Sequence, residues 1–179
     1  MNDLPPPTTL AEGKYLRLVA RGHWEYAERT TATGAVAIVA TTGERRLVLV
    51  EQFRIPVGAP VIELPAGLAG DVVEVEPESL AATARRELLE ETGYEAAEMR
   101  LLAAGPTSAG LSNEVITFFH ATGLKKIHDG GGDPHERITV HEPTLDALDA
   151  WLQERAASGT LIDPKIFAGM YLVKLSGKF

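Results

Sequence analysis

Three features predict an α+β fold for this 179-residue chain. Apolar residues at strand-like spacing dominate its first third, and helical periodicity enters only from about residue 77. Strands come first and helices are inserted later, the pattern of an α+β domain rather than of a regular βα alternation. A hydrophobic content of 45% with no internal repeat and no second boundary fits one main core. The expected organisation is a flexible or extended arm at 1–13, a β-hairpin subdomain at 14–33, and a main domain at 34–179.

The elements follow in order. The arm is rich in Pro and Thr. "KYLRLVARGHWEYAERTT" (14–31) reads as two strands around Gly22. "GAVAIVATTGERRLVLVEQFR" (34–54) reads as a second hairpin turning at "TTGE". Its apolar runs, Ala35–Val39 and Leu47–Val50, are continuous, which marks central strands. A short strand is expected at 61–64, then a loop, "PAGLAGDVVEVEPE". A helix should start near Pro77 and end at Thr92, with Gly93 as left-handed cap and Leu80, Ala81, Ala84 and Leu88 inward. Strands are expected at 99–104, 114–121 and 137–142, and a loop at 125–136. A helix is expected at 145–156 with Leu145, Leu148 and Leu152 inward. Asp163 and Pro164 read as cap and first residue of a last helix reaching about residue 174.

Composition excludes several classes. A net charge of −8 and a pI of about 5.1 argue against nucleic acid or an anionic membrane surface as main partner. The absence of Cys excludes disulfides and thiolate zinc sites and fits a reducing cytoplasm. The first residues lack the apolar core of a signal peptide, and no apolar run approaches the roughly 20 residues of a membrane span. Neither a GxxxxGK[ST] loop nor a GxGxxG motif is present, and "DGGGD" reads as a flexible Gly tract.

The chemistry concentrates in "ARRELLEETGYE" (84–95). Positions i, i+3 and i+4 share a helix face, so Glu87, Glu90 and Glu91 converge. Like charges at that spacing repel by about 0.2–0.5 kcal/mol per pair, so the arrangement makes more sense around a cation than as a solvated acidic face. Arg86 lies four residues before Glu90, at ion-pair distance, and would orient the carboxylates. His23, His120, His128 and His141 show no ligand spacing.

Arg86, Glu87, Glu90, Glu91, Gly93 and Tyr94, with Glu78 eight residues before Arg86, resemble the Nudix box, G-x5-E-x7-R-E-U-x-E-E-x-G-U, where U is a bulky apolar residue. One position departs: Val72 stands where the first Gly belongs. A five-residue insertion after Gly67 of "LPAG" accounts for it, with Gly70 a competing choice that needs two extra residues; long surface loops cost little. "HWEYAERTT", "LVEQFRIPVG", "VIELPAG" and "GLSNE" extend the resemblance over residues 14–172, toward the ADP-ribose and ADP-sugar pyrophosphatases of the Nudix hydrolase family.

That resemblance implies a Nudix fold, a mixed sheet sandwiched between helices, and hydrolysis of ADP-ribose or a related ADP-sugar to AMP and a sugar phosphate. It implies Mg²⁺, with Mn²⁺ as a substitute, held by Glu87, Glu90, Glu91 and the carbonyl of Ala66. Hard cations with oxygen ligands neutralise a diphosphate and lower the pKa of an attacking water. A loop Glu handles the water in such enzymes, which points to Glu136, with Asp133 as rival and His135 third; a polar loop tip is the plain alternative. Glu78 either assists catalysis or favours the helix dipole. Arg29 and Arg54 would bind phosphate oxygens. Trp24 and Tyr26 would stack on adenine, with plain core packing as the lesser alternative for Trp24. Glu63 would meet a metal or a ribose. The enzymes that the chain resembles are homodimers, with the hairpin of one subunit reaching the other's adenine pocket. "PTSAGLSNE" carries Ala109 where such enzymes often carry Pro, so ADP-glucose, ADP-mannose, GDP-mannose and other nucleotides stay open as substrates. So does a non-catalytic nucleotide-sensing module, although such modules commonly lose carboxylates that this chain keeps.

Overall fold

The computed structural model describes residues 4–70, 79–132 and 137–177. An eight-stranded mixed sheet carries the domain. It is built from β4 (Gly34–Thr41), β5 (Leu47–Arg54), β6 (Ala59–Glu63), β7 (Ala66–Ala69), β8 (Tyr94–Pro106), β9 (Val115–Lys126), β10 (Thr139–His141) and β11 (Leu161–Ile162). The helices are α1 (Leu80–Thr92), α2 (Leu148–Ala157) and α3 (Lys165–Leu175).

The continuous apolar run of β4 follows from burial on both faces. Ala35, Ala37 and Val39 join a core with Leu64, Leu148, Leu152 and Ile166, on the side of α2 and α3. Val36, Ile38 and Ala40 join a second core with Ala84 and Leu88 of α1 and with Phe119. Alternate side chains of a strand point to opposite faces, so one strand feeds both layers. This is the α/β/α sandwich.

The sheet forks at β4. One edge pairs in parallel with β9 from Ala35 to Ala40. The other edge pairs with β5 only at Ala40 and Thr41, and with β7 from Gly34 to Ala37. Between β5 and β7 the edge opens, and the cleft described below lies there. The loop expected after residue 64 is therefore partly a strand: residues 66–69 fill an edge that β5 has left. Its remainder, 71–78, lies outside the described residues, as do Pro77 and Glu78.

The helix near that loop is capped by Ser79, whose Oγ accepts the Ala82 N–H at 3.2 Å, and ends as expected at Thr92. Leu80 and Ala81 are partly buried, and Thr83, Glu91 and Thr92 complete the inward face. Strands β8 and β9 are longer than expected because they pair with each other from Tyr94↔Lys126 to Pro106↔Val115. The helix expected from 145 opens with a 3₁₀ turn, Leu145–Ala147. Asp163 Oδ1 accepts the Lys165 N–H at 2.8 Å and Pro164 has helical dihedrals, so α3 starts in the expected manner.

The N-terminal region is a three-stranded antiparallel sheet rather than a hairpin: β1 (Thr8–Glu12), β2 (Leu16–Arg21) and β3 (Trp24–Arg29). The second half of the arm is thus its edge strand. The sheet meets the main domain at the segment before β9, where Ala27 N–H donates to Leu111 O at 2.8 Å and Asn113 Nδ2 donates to Glu28 Oε1 at 2.7 Å.

Candidate active site

Helix α1 lays its carboxylates along β7. Glu91 is 4% exposed, and its Oε2 accepts the Ala66 N–H at 3.0 Å. Glu87 lies directly over Gly67: a Cβ on that glycine would stand 1.9 Å from Glu87 Cδ and 2.1 Å from Oε1. No side chain fits there while Glu87 holds its place, which favours Gly67 over Gly70 as the glycine paired with the helix. Gly70 is constrained differently, by a φ of +84° and by Thr33. The Arg86 guanidinium fixes the acidic face. Its Nη1 is 3.0 Å from Glu87 Oε1 and 3.1 Å from Glu90 Oε2, and its Nη2 donates to Leu68 O at 3.4 Å. The i, i+4 ion pair expected between Arg86 and Glu90 is thus present.

The glycine tract after β9 is not a free linker. It closes the C-terminal end of α1: Gly131 N–H donates to Glu91 O at 2.9 Å and Gly132 N–H to Glu90 O at 3.2 Å. A Cβ at Gly130 would stand 2.5 Å from Glu91 O, and one at Gly93 1.9 Å from His128 O. Backbone carbonyls left over at a helix end need such donors. Asp133, His135 and Glu136 lie outside the described residues, but the segment that leads to them is tied to the turn bearing Glu90 and Glu91.

These groups face a cleft of about 480 Å³. Arg54 Nε donates to Glu63 Oε2 at 2.6 Å on its β5–β6 wall, and Arg29 Nε, at the end of β3, to Glu114 Oε2 at 2.6 Å. Glu63 is 7% exposed. Ala66, Arg86, Glu87, Glu90 and Glu91 line the cleft as well. Sequence reading missed Gln52, Thr107, Glu114 and Lys165, which also line it. Gln52 and Glu114 lie inside quoted stretches, "EQFR" and "GLSNE", but no spacing links them to α1. Trp24 and Tyr26 do not line the cleft. The Trp24 ring is half exposed, with its Nε1 3.4 Å from Gly110 O.

Four cationic side chains and five carboxylates border one space. A diphosphate entering it would meet net negative charge, which a divalent cation would reverse. The donors are all oxygen, which suits a hard ion. Among the described residues, no three acidic or imidazole side chains are gathered tightly enough to hold an ion. Arg86 stands between Glu87 and Glu90, and the Ala66 amide draws Glu91 inward. The donor types fit such an ion, and Glu87 sits in a cradle open only above a glycine.

A NUDIX domain model matches residues 31–162, well over half of the chain. The chain belongs to the NUDIX family. Enzymes of this family use divalent metal ions. A "Methanol dehydrogenase activator" of Bacillus methanolicus is 39% identical over 123 residues, which is 68% of this chain and 64% of that protein. An "ADP-ribose pyrophosphatase" of Bacillus subtilis (strain 168) is 39% identical over 117 residues, 64% of this chain and 60% of its own length. The chain thus spans just under two thirds of these relatives. A solved structure, "Crystal structure of ADP compounds hydrolase", superposes with a TM-score of 0.70 over 96% of this chain and 91% of that one; at 19% identity it shows the NUDIX fold alone. No helix among the described residues is long and apolar enough to cross a membrane.

Proposed function

We propose that this NUDIX protein hydrolyses the diphosphate bond of ADP-ribose or a related ADP-sugar, giving AMP and a sugar phosphate, with Mg²⁺ as cofactor and Mn²⁺ as substitute. Glu87 and Glu91 over β7, lining one cleft with Arg54 and Arg29, carry this reading. Glu87, Glu90, Glu91 and the carbonyl of Ala66 would hold the metal. When bound, it offsets diphosphate charge and acidifies water. Arg86 keeps Glu87 and Glu90 in place. Arg54 and Arg29 exchange part of their pairing with Glu63 and Glu114 for phosphate oxygens, to which a guanidinium makes charge-assisted bonds. Glu63, freed in part, meets a ribose hydroxyl or the metal. Glu136, with Asp133 as rival, takes the proton from the attacking water.

The exposed apolar side chains of the N-terminal sheet, Tyr15, Leu16, Leu18 and Trp24, support a homodimer built through this sheet. Arg29 already lines the cleft of its own chain, so the partner is not needed to supply it. Deleting residues 1–31 should remove both dimer and activity; a deletion variant that stays dimeric by sedimentation would place the interface elsewhere. The absence of Cys supports a cytoplasmic setting.

A panel of ADP-ribose, ADP-glucose, ADP-mannose and GDP-mannose with Mg²⁺, scored for released monophosphate, tests the activity. ADP-sugars should be cut fastest, and preference for GDP-mannose would move the substrate class. The name of the B. methanolicus relative favours a second reading, in which the domain acts on a partner protein. Failure to cut any nucleotide sugar would favour that reading.

A further inference from the structure

Residues 107–114 join β8 to β9 and carry Glu114 to the cleft. The segment folds back on itself: Thr107 N–H donates to Glu114 O at 3.3 Å, and the Leu111 and Ser112 N–H groups both donate to Ser108 O. Strand β3 then holds it at successive residues. Ala27 N–H donates to Leu111 O at 2.8 Å, Asn113 Nδ2 donates to Glu28 Oε1 at 2.7 Å, and Arg29 Nε donates to Glu114 Oε2 at 2.6 Å. Glu28 lies across from Arg17 of β2, whose Nε donates to Glu28 Oε2 at 2.7 Å. Both oxygens of the Glu28 carboxylate are therefore engaged, one by the sheet and one by the segment.

Of these contacts, the Arg29–Glu114 pair alone lines the cleft; Glu28 and Asn113 do not. Yet Asn113 is the neighbour of Glu114 and Glu28 that of Arg29, so the bond between them sets how the lining pair is held. Arg29 gives up part of Glu114 to take a phosphate oxygen, and a guanidinium already held in place loses less freedom on binding. We propose that Glu28 is a positioning residue. Through Asn113 it holds the 107–114 segment in register with β3, and so keeps Arg29 and Glu114 directed into the cleft. Arg17 fixes the Glu28 carboxylate for this task. The role rests on the diphosphate hydrolysis argued above. Helix α1 and β7, which carry the metal-holding groups, lie outside this chain of contacts. Its loss should therefore weaken substrate binding and spare the chemical step.

Steady-state kinetics of the full chain on ADP-ribose at saturating Mg²⁺ test the role. Glu28→Ala and Asn113→Ala each remove the bond. Each should raise KM at least about fivefold, the scale of one hydrogen bond, with kcat within about twofold of wild type. The Mg²⁺ concentration for half-activation should not move. Asn113→Asp sets two carboxylates against each other and should raise KM as far. Glu28→Gln combined with Asn113→Asp exchanges carboxylate and amide, keeps the net charge and re-forms the bond in reverse. Its KM should return to within about twofold of wild type. That recovery also shows a folded protein, and a purely structural role would not separate KM from kcat. Where wild type hydrolyses ADP-ribose, three results would overturn the positioning role alone: unmoved KM in Glu28→Ala, a loss carried by kcat, or additive losses in the combined variant. Wild type that cuts no nucleotide sugar would overturn the proposed activity, and this role with it.

Discussion

Replacing Gly67 by Ala adds one methyl group at the centre of the site. The added Cβ would lie 1.9 Å from Glu87 Cδ, whereas ordinary contact begins near 3.4 Å. Glu87 must therefore withdraw by about 1.5 Å or β7 must shift, and β7 is held by pairing from Gly34↔Ala69 to Ala37↔Ala66. The side chain is the softer of the two. A misplacement of about 1 Å can cost 10²-fold in rate, so kcat should fall at least about 100-fold. The overpacking should cost about 1–3 kcal/mol, too little to unfold a domain of ordinary stability. Hydrolysis of ADP-ribose under saturating Mg²⁺, measured beside thermal unfolding, checks both parts. Gly70→Ala is the control: it meets Thr33 and an unfavourable positive φ, so it should lose stability more than catalysis. A Gly67→Ala protein that turns over at near wild-type rate would refute the placement of Glu87 over Gly67 as the feature that positions it.

Glu91→Gln keeps shape and removes charge, so activity should fall at least about 100-fold with the fold intact; near-normal turnover would remove the metal role. Glu136→Gln should lower kcat with little change in KM, and Asp133→Asn should do less; a dead Asp133→Asn with an active Glu136→Gln would exchange the two roles. Burial, reinforced by its hydrogen bond to Glu142, pushes the Tyr94 hydroxyl up to about 12. A raised tyrosine pKa favours the neutral form in the folded state. Its contribution is complete below pH 10 and lost as pH rises from about 10 to 12, and a Tyr94→Phe protein should lack that part of the alkaline decline in urea midpoints.

Helix α1 and its carboxylates were legible because a fixed spacing meets a fixed period: Arg86, Glu87, Glu90 and Glu91 fall on one face wherever the helix packs. The buried strands β4 and β5 were legible for a similar reason, since continuous apolar runs need two covered faces. Strand β7 was not. "AGLA" is short and small-chained, and it is a strand only because β5 leaves the edge of β4 after Ala40. Gly130–Gly132 read as loose because Gly tracts are intrinsically permissive, yet their conformation is set by the carbonyls at the end of α1. Lys165 and Glu114 reach the cleft from elements remote in sequence, and no local pattern foretells that. Trp24 and Tyr26 were expected on the adenine from aromatic character and from the resemblance, which gives the hairpin a place at the partner's site, and in the single chain they lie outside the cleft.

The central claim is that the α1 carboxylates hold a divalent ion that enables diphosphate hydrolysis. A Mg²⁺ titration against ADP-ribose, with AMP and ribose 5-phosphate quantified together, tests it most directly. With an ion held there, turnover should be absent in a chelator, rise saturably with Mg²⁺, and give the two products in equal amounts. Undiminished turnover in the chelator, or Mg²⁺-saturated protein that releases no AMP, would contradict it.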